Sequence, residues 1–290
     1  MTPYGDKGKS NRSVTYGRRH PIAAHRQGMN APTQLISQLP LKQMDGTLLF
    51  PGILAAAAAS KHDLADIGAA MSLASYLHRN QTRANRGDLP RTPYIEHPLR
   101  GALRAYRYGV CSPSLVIGVI LHDTVEDNPF ELAGQIAGIP TDDEEEARVT
   151  SFEYIRMTFG PDVESIVRGM TNEISVPGLT RAQKHSAYLE KVVKAIEDPY
   201  VAVAKFIDWV DNAVGLHHNI AGARNGMIKN LAGKYLPLAA AFHQRLDQDD
   251  VRALVSVEGH KQMLLHLEIG EVRLVTLLTG GEVGATPAAA

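Results

Sequence analysis

Residues 115–127 read LVIGVILHDTVED, and no other stretch of the chain limits its fold so strongly. The run before His122 is apolar apart from Gly118, and a helix that is greasy all round belongs in a core. Ser112 followed by Pro113 supplies an N-cap and a proline at the first helical position. The stretch then ends in His122, Asp123, Glu126 and Asp127. On one continuous helix over 113–127, His122 sits over Glu126 and Asp123 over Asp127. These carboxylates fall at the negative end of the helix dipole, where anions are disfavoured. Buried without a partner, each would be costly or would take up a proton. A bound cation is the simplest remedy. The plain alternative is a solvated helix end before a turn at Asn128-Pro129, but an adjacent His-Asp after so apolar a helix speaks for the cation.

The chain has 290 residues, 44% hydrophobic and 21% charged, which places it among globular domains rather than disordered chains. A formal net charge of -1 argues against a general nucleic-acid or membrane-surface binder. Cys111 is the lone cysteine, so no internal disulfide forms and a reducing compartment is implied. No apolar run reaches the length of a membrane span, and the N-terminus lacks the apolar core of a secretory signal. A cytoplasmic protein is the expectation.

Residues 1–45 carry Lys7, Lys9, Arg12, Arg18, Arg19 and Arg26 among Gly, Pro, Ser and Asn, and read as a basic mobile arm. A helical domain is expected over 46–270, with a C-terminal tail over 271–290. Within it the helical pattern begins near Pro51. Ser60 with Asp63 reads as a cap opening a helix to about His78. A polar loop with arginines from Arg79 to Arg91 follows, then helices over about 98–108, 113–127 and 129–137. TDDEEEA at 141–147 reads as a solvated acidic loop or a first helical turn. Further helices are expected at 151–159, 162–170, 181–197, 199–216, 227–246, 248–257 and 258–268. VRLVTLL at 272–278 is the main β-branched run, and it suits the end of a helix equally well. The fold class is all-α.

The helix 199–216 carries Val203, Phe206, Ile207, Val210 and Val214 on one stripe, with Lys205, Asp208 and Asn212 opposite. That polar side is either wet or lines a pocket. A metal site from His97, His122, Asp123 and Asp208 would offer two imidazoles and two carboxylates. Such a set suits Mn²⁺ or Fe²⁺ better than Zn²⁺. Spacing alone does not select these four from twelve histidines and many acids.

PYIEHP, then ILHDTVED, then KFIDWVDNAVGL resemble, in order, the three signatures of the hydrolase domain of RelA/SpoT-type alarmone enzymes, within the HD-domain phosphohydrolases. HRNQTR, FGPDVESIVRGMT and KYLPLAAAF fall in the same order, so the resemblance covers roughly residues 60 to 245. It implies an HD-type helical bundle in which His97, His122, Asp123 and Asp208 hold one Mn²⁺. It implies that Glu126 and Asp127 position or deprotonate the attacking water. Arg83, Arg86, Lys205, Asn212 and Tyr235 stand where contacts to a small-molecule nucleotide are expected. The implied reaction removes the 3′-diphosphate of guanosine tetra- or pentaphosphate (ppGpp or pppGpp), leaving GDP or GTP and pyrophosphate. The implied protein is a small, stand-alone hydrolase without a synthetase domain. The sequence also departs from the pattern: Ala84 follows Arg83 where a basic residue is usual, Asp211 replaces a common histidine or tyrosine, and Gly178 replaces a lysine found in some small members. These changes open a second enzyme reading, with an adenosine alarmone (pppApp or ppApp) or the 2′-phosphate of NADPH as substrate. A third reading is a non-catalytic nucleotide sensor or antitoxin-like binding protein that works through the basic arm.

Overall fold

The computed structural model describes residues 39–83, 91–173, 178–216 and 225–280. Helices dominate: α1 (Gly46–Ala59), α2 (Leu64–Leu77), α3 (Glu96–Arg107), α4 (Pro113–Leu121), α5 (Thr124–Asp127), α6 (Pro129–Glu131), α7 (Glu144–Phe159), α8 (Pro161–Met170), α9 (Arg181–Ala195), α10 (Pro199–Asn212), α11 (Asn225–Leu246), α12 (Asp249–Arg252) and α13 (Val257–Thr279). Among the described residues the only sheet is a two-residue antiparallel pairing of β1 (Thr82–Arg83) with β2 (Thr92–Pro93). The all-α class expected from the sequence is the class observed. No helix among the described residues is long and apolar enough to cross a membrane.

The apolar run becomes α4, in the middle of the bundle. The side chain of Ser112 accepts from the Leu115 amide, and Pro113 opens the helix. Every residue from Leu115 to Leu121 is buried, with α2, α3, α8 and α10 packed around them. Gly118 is required where α8 crosses: a Cβ there would lie 2.5 Å from Ile166 Cγ2. On α10, Val203, Phe206, Ile207 and Val210 are buried as the stripe predicts.

Several boundaries differ from the sequence reading. The central helix is not continuous over 113–127: it ends at Leu121 and restarts as α5. Two side chains take carbonyls at the junction. His122 Nδ1 lies 2.8 Å from the Val119 carbonyl, and Thr124 Oγ1 donates to Leu121 at 2.6 Å. Asp45, not a residue near Pro51, caps the first helix, accepting from the Thr47 and Leu48 amides. Asp63 rather than Ser60 caps α2, and Ser60 instead ends α1. Asp143 caps α7, so that helix begins at Glu144 instead of Ser151, and its acidic first turn faces the positive end of the dipole. The last helix runs to Thr279 because the VRLVTLL segment buries Leu274 and Leu277. Residues 39–45 pack against the bundle, with Leu41 and Met44 in the core. Residues 1–38 and 281–290 lie outside the described residues.

Candidate metal centre and substrate cavity

Four elements bring the site together. His97 lies in the first turn of α3, His122 and Asp123 in the break between α4 and α5, and Asp208 on α10. His97 Nε2 is 3.0 Å from Asp208 Oδ1 and 3.5 Å from Asp123 Oδ2. His122 Nε2 is 3.0 Å from Asp123 Oδ2 and 3.7 Å from Asp208 Oδ1. Donor atoms of His97, His122 and Asp123 all lie within 4.8 Å of one another, and Asp208 joins through the two imidazoles. Bonds of about 2.0–2.2 Å to one transition-metal ion would separate neighbouring donors by roughly 3.0–3.5 Å. The spacing of His97, His122 and Asp123 is compatible with one ion, and Asp208 lies within 3.0 and 3.7 Å of the two imidazoles.

The orientation of the donors fits as well. His122 Nε2 is buried and makes no hydrogen bond, although carboxylate oxygens face it. Burial alone would disfavour the His122 imidazolium, yet Asp123 and Asp208 raise its pKa well above the ordinary value. Burial would likewise raise Asp123 and Asp208, but His122 and His97 hold both carboxyls below the usual range. Two carboxylates thus converge on imidazole nitrogens in a buried place, a donor set whose chemistry suits a cation.

A second set of contacts aims these groups. The His97 Nδ1 is 2.8 Å from Asp211 Oδ2, so a proton on Nδ1 leaves Nε2 with a lone pair facing Asp208. Asp211 also accepts from Arg100 Nε at 3.0 Å and Nη2 at 2.9 Å, and from Lys42 Nζ at 3.0 Å. Burial would raise its carboxyl, but Arg100, Lys42 and His97 hold it well below the usual range. Tyr94 donates its hydroxyl to Asp123 Oδ2 at 2.7 Å, and Asn212 donates to Asp208 Oδ1 at 2.6 Å.

The four candidate ligands face a cavity of about 160 Å³. Glu126, Arg83, Lys205, Asn212 and Tyr235 line it, together with Tyr94, Asn172, Tyr188 and Lys234. Glu126 is held at both oxygens by Asn172, through the backbone amide at 2.8 Å and Nδ2 at 3.0 Å. Lys205 Nζ donates to the Met170 carbonyl at 2.6 Å, and burial lowers its pKa. Arg83 donates to Asn212 Oδ1 and lies over the Tyr94 ring. Tyr235 is buried, and its backbone carbonyl accepts from Trp209 Nε1. Asp127 is exposed and stands apart from the cavity lining. Although the residue as a whole is exposed, its carboxyl is pushed up to about 6 by partial desolvation, then by the charges of Asp123 and Glu126. Arg86 lies outside the described residues.

The sequence reading thus collects the four metal candidates, Glu126 and four of the nucleotide candidates around one point. It misses Tyr94, Asn172, Tyr188 and Lys234. Tyr94 sits inside the quoted PYIEHP, three residues before His97, so its nearness to the site is implicit there. Asn172 falls between the helices expected at 162–170 and 181–197, and nothing local connects it to Glu126.

No family model matches the chain. Curated relatives do. The guanosine-3′,5′-bis(diphosphate) 3′-pyrophosphohydrolase MESH1 of Xenopus tropicalis is 30% identical over 145 residues, covering 48% of this chain and 68% of that protein. The Danio rerio protein of the same name is 29% identical over 45% of this chain and 63% of its own length. The guanosine-3′,5′-bis(diphosphate) 3′-pyrophosphohydrolase of Aquifex aeolicus is 29% identical over 51% of this chain and only 18% of its own length. A solved structure of a metazoan ortholog of SpoT aligns over 74% of this chain and 95% of that one, at 20% identity and a TM-score of 0.44. On the extent of its match to the Xenopus protein, the chain belongs to the guanosine-3′,5′-bis(diphosphate) 3′-pyrophosphohydrolase family that MESH1 represents.

Proposed function

We propose that this protein hydrolyses the 3′-diphosphate of guanosine tetra- or pentaphosphate, with one divalent ion, Mn²⁺ by our reading, held by His97, His122, Asp123 and Asp208. The observation that carries the proposal is the convergence of His97 Nε2 and His122 Nε2 on Asp123 and Asp208 beside a cavity lined with cations. The names of the relatives support the guanosine substrate and the bond cleaved. The overall change is one water added and one ester bond broken, with pyrophosphate and GDP or GTP as products.

A divalent ion at this place supplies Lewis-acid polarisation of a phosphoryl oxygen and lowers the pKa of water. The chain's own residues do the rest. Glu126 is the proton acceptor for the attacking water, because Asn172 fixes its carboxylate at the cavity wall and leaves lone pairs free. Arg83 and Lys205 face the transferred phosphate and offset the charge that develops on it. Asn212 links Asp208 to Arg83, so the metal set and the substrate set move as one.

The test is a metal-supplemented screen of phosphorylated nucleotides with product identification. It should include ppGpp, pppApp and NADPH at equal concentration. The expected result is pyrophosphate release from ppGpp as the dominant reaction. A dominant rate on pppApp, or phosphate release from NADPH, would transfer the same machinery to another substrate.

A further inference from the structure

The catalytic cavity, at about 160 Å³, is smaller than the roughly 300–1,000 Å³ of ordinary small-molecule pockets. It has room for the reacting phosphates but not for a whole nucleotide. Next to it lies a wider cavity of about 540 Å³, which shares Asn172, Tyr188 and Lys234 with the first. A ligand that enters the small cavity therefore has this one as a neighbour.

The wider cavity is strongly cationic. Arg181, Lys184, His185, Tyr188 and Lys191 recur at helical spacing along α9 and line one side of it. Lys234 of α11 closes the other side, its Nζ 4.0 Å from the centre of the Tyr188 ring. Glu173 is the one acidic residue in the described lining. Lys191 spends one donor on the Thr171 carbonyl, whereas Arg181 and Lys184 are exposed at the mouth. After burial, the charges of Lys234 and Arg181 are what hold the His185 pKa down. The cluster also carries two acceptors: Asn172 Oδ1 and Asn230 Oδ1 are buried without a hydrogen-bond partner, as suits ribose hydroxyl donors.

We propose that this second cavity is an anion subsite that takes the 5′-phosphates of a nucleotide whose 3′-diphosphate lies at the His–Asp centre, with Arg181 and Lys184 as the residues that read those phosphates. The assignment of the far end of the ligand rests on the hydrolase reading above. The cationic cavity itself does not. With this subsite, substrates lacking 5′-phosphates bind less well although the bond to be cleaved is the same.

The experiment compares ppGpp with guanosine 3′-diphosphate, which lacks the 5′-phosphates, in the full chain and in the Arg181→Ala/Lys184→Ala double variant. Both side chains are exposed, so the fold is retained. KM for ppGpp should rise about tenfold or more in the variant, the loss of charge-assisted hydrogen bonds, with kcat within about twofold. KM for guanosine 3′-diphosphate should stay unchanged, and Arg181→Lys/Lys184→Arg should restore the wild-type KM for ppGpp. An equal rise for both substrates, or none for ppGpp, would overturn the subsite. Calorimetric titration with GDP needs no turnover and separates the two claims. GDP binding about tenfold weaker in the double variant supports the subsite even if ppGpp is not hydrolysed, and equal binding overturns it even if ppGpp is.

Discussion

His97 Nδ1 and Asp211 Oδ2 lie 2.8 Å apart, and the same carboxylate is bound by Arg100 and Lys42. Asp211 thus fixes which nitrogen of His97 faces Asp208, and the buried Arg100 and Arg104 with the part-buried Lys42 surround its charge. Asp211→Ala would take from Lys42, Arg100 and Arg104 the carboxylate they share, leaving Arg100 only Glu96 at 3.5 Å, a loss of about 3–5 kcal/mol of stability. In the folded variant, metal affinity should fall about 10–100-fold because the His97 ring is no longer oriented. Asp211→Asn keeps an acceptor for Nδ1–H and should lose less of both. Urea denaturation and metal titration read the two effects separately; unchanged metal affinity in folded Asp211→Ala would refute the orienting role.

Glu126 is held by Asn172 in the same cavity wall as the four candidate ligands, and among the described residues it makes no hydrogen bond or ion pair with them. Glu126→Gln should therefore lower kcat by about 10²–10⁴-fold, the usual contribution of a positioned base. Metal stoichiometry should not change. Loss of the metal along with the activity would make Glu126 part of the binding set instead.

Asp127 gives a pH signature. Its carboxyl is raised to about 6 by partial desolvation, then by Asp123 and Glu126. A folded pKa above the unfolded one means that folding favours the protonated form. The associated stability is complete below about pH 4 and is lost as pH rises through about 6. In chelated protein, Asp127→Asn should match the wild type at pH 4 and show the higher Tm at pH 7. Tm differences that do not vary across this range would show that Asp127 titrates normally.

Gly118 lies where α4 packs closely on α8. An added Cβ would sit 2.5 Å from Ile166 Cγ2 and 3.0 Å from Ile166 Cβ. Gly118→Ala should cost about 1–3 kcal/mol by overpacking. Combined with Ile166→Ala, it should cost less than the sum of the two single changes, since the truncation removes the shorter contact, with Cγ2, and leaves only that with Cβ. Strict additivity would place the strain elsewhere.

Much of the site is legible in the sequence because its parts sit on strongly patterned segments. Apolar α4 has to be buried, and the His-Asp at its end goes with it. Lys205, Asp208 and Asn212 share one side of α10, and all three line one cavity. What stays hidden is held by long-range contacts. The Lys42–Asp211 pair spans 169 residues, and no local pattern joins a basic N-terminal segment to α10. The break after Leu121 contains neither Gly nor Pro; it arises where His122 and Thr124 side chains take the carbonyls of Val119 and Leu121. The β1–β2 pairing is two residues long and polar, too short for an alternating pattern to show.

The most direct test measures metal content and pyrophosphate release on the same preparation, before and after chelation and on adding back Mn²⁺. The account predicts that chelated protein is inert towards ppGpp, that one equivalent of Mn²⁺ per chain restores turnover, and that His122→Ala and Asp208→Ala retain neither ion nor activity. Undiminished pyrophosphate release after complete removal of metal, or a full equivalent of metal bound by both variants, would contradict it.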